Sequence, residues 1–346
     1  MEFRSRIIEA FRTPVVTPLV PAPSLARRCG IAAVHIKDES KRPFGNFKML
    51  GGLGAGLKAL ARHAGLSVDE LLAPHHVGLP PLLCASDGNH GLAVAAAAHA
   101  AGGKALIFLP AQVDEARAGR IAAMGGDIRR VAGTYDDAVD EARMLAGTGG
   151  GLLVADTSDQ LKDPVVGDVM AGYGRVAEEI LNQNAGHPRF THAFIQAGVG
   201  GLAAAMAQGL APMIGEAPQM IVVEPERAAC VAHALRTGFA ERIAGTLDTK
   251  AEMLSCGIAS ASAVEILRRH RATAVTVSEA GLAAAVSILV SEAALPTTPS
   301  GAAGLTGLLR VAGTPWLRTA IRLGPGSRVL LVVTEGAVRF EGVDSD

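Results

Sequence analysis

Between Leu82 and Asp156 short apolar runs alternate with helical stretches, and no other feature of the sequence narrows the fold as far. Leu82–Ala85, Ala105–Leu109, Ile128–Val131 and Leu152–Ala155 read as strands, with helices at Gly91–Ala101, Asp114–Met124 and Tyr135–Leu145 between them. Strands joined through helices of this length run parallel, and helices cover the sheet's faces. The pattern continues at larger scale. Strands are expected at Ala32–Lys37, Thr191–Gln196, Met220–Val223, Ala274–Val277 and Val329–Thr334, with helices at Val165–Leu181, from Gly201, at Glu279–Ala293 and at Ala302–Ala312. The expected architecture is α/β: two doubly wound parallel sheets, a small unit at 82–156 inserted in a large one made of 1–81 and 157–346. Pro14, Pro18, Pro21 and Pro23 lack an N–H and fix φ, so the first thirty residues are expected to form an extended arm. Residues 65–81 read as a connection.

At 346 residues the chain can bury two cores. Its mean hydropathy of +0.31 comes largely from Ala and Gly. The longest suspect run, Gly91 to Gly103, is too short for a membrane span. A net charge of −1 gives no basic field for nucleic acid or anionic membrane, and 3% aromatic residues leave no base-stacking platform. A small-molecule substrate is expected, and no secretory signal follows Met1–Arg6, so the expected location is cytoplasmic. Cys29, Cys84, Cys230 and Cys256 stand too far apart for a zinc motif and are expected as reduced thiols. His63, His90 and the His75–His76 pair lack ligand spacing, and no metal is expected.

Ligands of open parallel sheets lie beyond the carboxyl ends of the strands, so the residues just after each strand carry the functional argument. Lys48, between Phe47 and Met49 at the start of an apolar helix, is either a desolvated amine able to form a Schiff base or a lysine that snorkels to water. The helix that follows contains Gly51, Gly52, Gly54 and Gly56, which weaken it unless something packs closely there. After the first small-unit strand, Ser86-Asp87-Gly88-Asn89-His90-Gly91 opens a helix, as an anion cradle or as an ordinary capped turn. Ser86, Gly88 and His90 are the candidates there for a substrate carboxylate. Gly198-Val199-Gly200-Gly201-Leu202 is a second glycine-rich strand-to-helix turn suited to phosphate, without a P-loop Lys-Ser/Thr pair and with Ala203 where a dinucleotide motif has its third glycine. Asp156 and Glu224 follow strands, as caps or as functional acids, and the Thr334 hydroxyl at the end of the last strand can meet a pyridine nitrogen.

The Lys37-Asp38-Glu39-Ser40 segment, Phe47-Lys48, the Ser86–Gly91 turn and the Gly198–Leu202 turn, in this order and at these distances, resemble the fold-type II pyridoxal-phosphate enzymes, the tryptophan synthase β family. The resemblance spans nearly the whole chain and implies pyridoxal 5'-phosphate as cofactor. It implies Lys48 as the lysine that carries it, Asn89 at its phenolic oxygen, Gly198, Val199, Gly200, Gly201 and Leu202 around its phosphate, and Thr334 at its ring nitrogen. The Asp at position 87, Asp156-Thr157, the 224–230 run, Ser255-Cys256-Gly257 and Thr334-Glu335-Gly336 resemble the subgroup that removes ammonia from 2,3-diaminopropionate. Pro299-Ser300-Gly301 and Ala337-Val338 depart from the usual pattern. The likeness implies an α,β-elimination on a small amino acid, with Lys48, Asp87 and Asp156 catalytic and the two aspartates on opposite sides of the cofactor. A dehydratase acting on a β-hydroxy amino acid is the first alternative, followed by a β-replacement synthase and by a noncatalytic small-molecule-binding protein in which Lys48 is a surface lysine. The likeness also implies a homodimer, and a close approach of Cys230 and Cys256 that would let them pair as a disulfide.

Overall fold

The computed structural model describes residues 2–73, 78–211 and 219–337. His75, His76 and Val338, named above, lie outside these residues. Valine-, isoleucine- and leucine-rich runs form ten strands among the described residues: β1 (Leu19–Pro21), β2 (Ala33–Asp38), β3 (Leu82–Ala85), β4 (Ala105–Pro110), β5 (Gly126–Val131), β6 (Leu152–Leu153), β7 (His192–Gln196), β8 (Gln219–Pro225), β9 (Thr273–Val277) and β10 (Arg328–Val333). They make two sheets. The smaller has the order β5-β4-β3-β6 and is parallel throughout. The larger has the order β1-β2-β10-β7-β8-β9, parallel except for β1, which runs antiparallel to β2 at the edge. Every residue of β3 and β7 is buried, as expected for strands covered by helices on both faces.

The first thirty residues are not an extended arm. Helix Glu2–Arg12 ends before Pro14 and buries Ile7, while Pro23 begins helix Pro23–Cys29 at the position where a missing N–H costs nothing. Pro21 sits in β1 at the sheet edge, where proline is tolerated. The connection after Gly65 holds a short helix, Val68–Leu71, started by a reciprocal Ser67–Glu70 capping box. No helix of the described residues is long and apolar enough to cross a membrane.

Two features fix the segment that carries Lys48. The first is a buried cluster of two cations and two carboxylates between β2 and helix Pro164–Gln183. Lys37 Nζ donates to Glu179 at 2.7 Å, and Arg42 donates to Glu39 at 2.7 Å and to Glu179 at 2.9 Å. The Thr17 hydroxyl closes the group on Glu39 at 2.5 Å. Charges so deep are tolerated because each is paired and hydrogen-bonded, and the cluster clamps the turn after β2 onto the helix behind it. The second is the glycine-rich face of helix Lys48–Ala64. A Cβ at Gly51 would lie 2.5 Å from Tyr173, and one at Gly56 would lie 2.6 Å from Ala97, so this helix sits tight between Pro164–Gln183 and Asn89–Ala101. The partner surface is equally bare: a Cβ at Gly172 would stand 2.1 Å from the Leu50 carbonyl oxygen.

That contact makes two neighbouring glycines opposite in sign. Gly174 lies in the same helix as Gly172, and a Cβ added there would meet nothing within 4 Å. Gly174→Ala is expected to stabilise the fold by about 0.5–1 kcal/mol through helix propensity. Gly172→Ala must displace backbone and is expected to cost about 1–3 kcal/mol. Urea unfolding midpoints of the two variants against the parent check both signs.

Candidate active site

The turns after β3, β6, β7 and β10 and the start of helix Lys48–Ala64 meet around one cleft of about 750 Å³, part of it open to solvent. Phe47, Lys48, Ser86, Asp87, Asn89, His90, Asp156, Gly198, Val199, Gly200, Gly201, Leu202 and Thr334 all line it. Gly88 faces the adjoining crevice beside Arg117.

Lys48 begins its helix because the Asn46 side-chain oxygen accepts the Lys48 N–H at 3.1 Å and the Phe47 N–H donates to the Thr334 carbonyl at 3.1 Å. Its ammonium donates to Asp156 Oδ2 and lies 5.7 Å and 5.9 Å from the ring centroids of Phe47 and Tyr173. Its side chain is 19% exposed. Desolvation lowers its pKa, but the charge and hydrogen bond of Asp156 outweigh that and the net shift is upward. The chain therefore holds Lys48 as an ammonium ion, not as the neutral amine that burial alone predicts. Asp156 is desolvated too, yet Lys48, His90 and the Tyr135 hydroxyl, which donates to Oδ1 at 2.6 Å, hold its carboxyl well below the usual range.

Asp87 is the opposite case. Among the described residues no donor reaches its carboxylate, and desolvation together with the nearby Asp156 charge pushes its pKa up to about 8 against the pull of Arg117. In the same turn Ser86 Oγ accepts the N–H groups of Gly88 at 2.9 Å and Gly91 at 2.8 Å, which leaves those of Asn89 and His90 without an acceptor among the described residues. His90 is kept neutral by desolvation. Its Nε2 donates to the Val154 carbonyl at 2.9 Å, and Nδ1 packs against Gly52. The Asn89 amide donates to Glu335.

The second glycine turn is an anion cradle by geometry. Gly200 has φ of +97°, and no N–H from Gly198 to Leu202 has an acceptor among the described residues. A Cβ at Gly198 would lie 3.0 Å from Cys256 Sγ and 3.3 Å from the Met253 carbonyl oxygen, so side chains are excluded where the loop turns. Gln196 gives Nε2 to three carbonyls and to Thr334 Oγ1 at 3.1 Å. Thr334 is thus an acceptor within the protein, and its own hydroxyl hydrogen is left for the cleft.

Tyr135, Tyr173, Gln196 and Glu335 escaped the sequence reading as site residues. Both tyrosines of the chain reach the cleft, from helices whose sequence shows their bounds but not what their side chains face. Glu224 is no part of it: its buried carboxylate accepts the Val231 and Ala232 N–H groups, both at 2.7 Å, at the start of helix Cys230–Thr237. No disulfide joins the two cysteines that the resemblance would let pair. Cys230 and Cys256 are free and buried, Cys230 donating to the Gly198 carbonyl at 3.3 Å while Cys256 packs against the Gly198 Cα.

Residues 11–335 match the family described as pyridoxal-phosphate dependent enzyme. The chain belongs to that family. Diaminopropionate ammonia-lyase of Salmonella typhimurium is 32% identical to it over 347 residues, covering 93% of this chain and 85% of the relative. The crystal structure of holo diaminopropionate ammonia lyase from Escherichia coli matches with a TM-score of 0.85 at 27% identity, covering 97% of this chain and 88% of that one. The same Escherichia coli enzyme in complex with D-serine matches with the same TM-score, identity and coverage. The cofactor of this pyridoxal-phosphate dependent enzyme fits the residues present. Five N–H groups lack an acceptor among the described residues where a phosphate would bind, and a hydroxyl hydrogen is free for a ring nitrogen. Of five buried side-chain polar atoms without a hydrogen-bond partner among the described residues, three belong to residues that line this cleft: His90, Tyr173 and Gln196.

Burial of Asp87 also makes stability depend on pH. In the unfolded chain an aspartate ionises at about pH 4, whereas in the fold Asp87 ionises at about 8. The folded state binds the proton more tightly, so this group's contribution is fully present below the unfolded pKa and is lost as pH rises toward the folded one. Asp87→Asn is therefore expected to gain stability relative to the parent across that interval and to track it below. Urea unfolding free energies measured against pH check this; parallel curves would refute it.

Proposed function

We propose that the chain removes ammonia from 2,3-diaminopropionate by α,β-elimination, with water completing the conversion to pyruvate and a second ammonia. The observation that carries this reading is a lysine and two carboxylates of opposed titration in one cleft, Asp156 held ionised and Asp87 pushed up to about 8. Strongly shifted carboxylates lining one cleft are a sign of groups placed for proton transfer. The likeness to diaminopropionate ammonia-lyase over most of both chains supports the choice of substrate.

Bound pyridoxal phosphate supplies an electron sink for the pair left at Cα when its proton departs. The residues of the chain do the rest. The N–H groups from Gly198 to Leu202 would hold the phosphate, the Thr334 hydroxyl would donate to the ring nitrogen, and the Asn89 amide would donate to the phenolic oxygen. Lys48 would carry the cofactor through Nζ, which its hydrogen bond to Asp156 holds in the cleft. The N–H groups of Asn89 and His90 orient the substrate carboxylate, beside Ser86. Asp156, and Asp87 in its ionised form, remove the Cα proton of one enantiomer each. The complex of the Escherichia coli enzyme with D-serine supports accommodation of a D-configured substrate.

Lys48→Ala is expected to abolish turnover and the visible absorbance of lysine-bound cofactor while the fold persists. Asp87→Asn should depress kcat/KM for one enantiomer by about 10²–10⁴ and Asp156→Asn should do so for the other, as general-base removal does. Parallel losses in all four combinations would refute the division of labour. Two ammonia per pyruvate marks the diamino substrate; one per keto acid would mark a hydroxy amino acid instead.

A further inference from the structure

Glu335 is a buried carboxylate in the wall of the cleft, 7% exposed, that the reading above leaves without a task. Its backbone is pinned on both sides. Glu335 bridges to Asn46 in the turn that precedes Lys48, its carbonyl accepts the Thr297 hydroxyl, and the next N–H, from Gly336, donates to the Gly45 carbonyl at 3.0 Å. Its side chain is directed as firmly: one oxygen accepts the Thr298 hydroxyl and the other the Asn89 amide nitrogen. Burial raises the pKa of this carboxyl, while the hydrogen bonds from Thr298 and Asn89 and the positive charge of Arg117 and Arg120 favour its ionised form.

An asparagine amide can face a partner with its nitrogen or its oxygen, and only a fixed neighbour decides which. A carboxylate accepts and does not donate, so Asn89 must turn Nδ2 toward Glu335. One of the two amide hydrogens is thereby committed, and the direction of the other is set by the planar NH2 group. We propose that Glu335 is a positioning residue that locks the Asn89 amide so that it presents a hydrogen, and not its oxygen, to the phenolic oxygen of the cofactor. This inference rests on the contact assigned to Asn89 above. Without Glu335 the amide is free to rotate and turn a lone pair toward an anionic oxygen.

The test is a double-mutant cycle on binding, with full-length protein freed of cofactor and titrated with pyridoxal phosphate; dissociation constant and visible absorbance are read together. Glu335→Gln and Asn89→Ala are each expected to weaken binding roughly tenfold, the scale of one lost charge-assisted contact, and to move the absorbance band in the same direction. In the Asn89→Ala background Glu335→Gln should have no further effect, because it acts through the amide that is gone. A full-sized second loss there would overturn the proposal, as would a Glu335→Gln protein that binds and absorbs like the parent. If Asn89→Ala changes neither readout, the assignment of Asn89 falls instead, and this inference falls with it. Glu335→Asp, which keeps the charge but draws it back by a methylene, serves as second variant and should reproduce the pattern if Glu335→Gln does not fold.

Discussion

The close approach of three helices, made possible by glycine, sets the position of everything else in the cleft. Helix Lys48–Ala64 touches Pro164–Gln183 through Gly51 and Gly172, and Asn89–Ala101 through Gly52 and Gly56. Each of these glycines costs helix propensity, roughly 0.8–1 kcal/mol against alanine, and is retained where a Cβ would collide. One neighbour belongs to the large sheet's layer and the other to the small sheet's, so the helix that begins with Lys48 is the spacer between them. Close-packed interiors transmit displacement. A shift of this helix would move the lysine, Asp156 and the Ser86–Gly91 turn relative to one another.

Upon that packing the chain builds a site whose charges are sorted by burial and partner. Lys48 and Asp156 share a desolvated pair, and each keeps its charge because the other is there. Asp87 has no such partner and is driven toward its neutral form, and burial lowers the pKa of His90. The same residue type thus appears in two protonation states within one cleft, decided by what faces it and not by its position after a strand.

The sheet pattern was legible because its signals are local. The periodicity of β3 and β4 and their helices survives into the structure within a residue or two, and helix Glu279–Ala293 has the bounds its sequence indicates. The glycine turns were legible for a similar reason: backbone that must approach an anion announces itself in composition. What was hidden depends on tertiary distance. Tyr135 and Tyr173 lie on helices and reach the cleft only because those helices are drawn in, and Gln196 is a strand's last residue whose amide finds four acceptors from two other segments. The ion pair of Lys48 was not legible because burial shows in its neighbours in sequence, whereas Asp156 stands 108 positions away.

Pro299 and Glu335 together show how a departure in sequence is absorbed by the fold. Thr298 caps helix Pro299–Ala312, its hydroxyl oxygen accepting the Gly301 N–H at 3.1 Å, and Pro299 occupies the first position, where its fixed φ starts the helix and its missing N–H is no loss. A carboxylate at position 299 would favour this helix start by charge alone. Instead, the Thr298 hydroxyl hydrogen goes to Glu335, arriving from the end of β10, so the negative charge at the helix N-terminus comes from another strand. That placement lets one carboxylate meet both the helix start and the Asn89 amide, which a residue within the helix would have to leave its first turn to do. The proline and the buried glutamate are therefore two parts of one arrangement, in which the last strand of the large sheet braces the first turn of a small-sheet helix across the cleft.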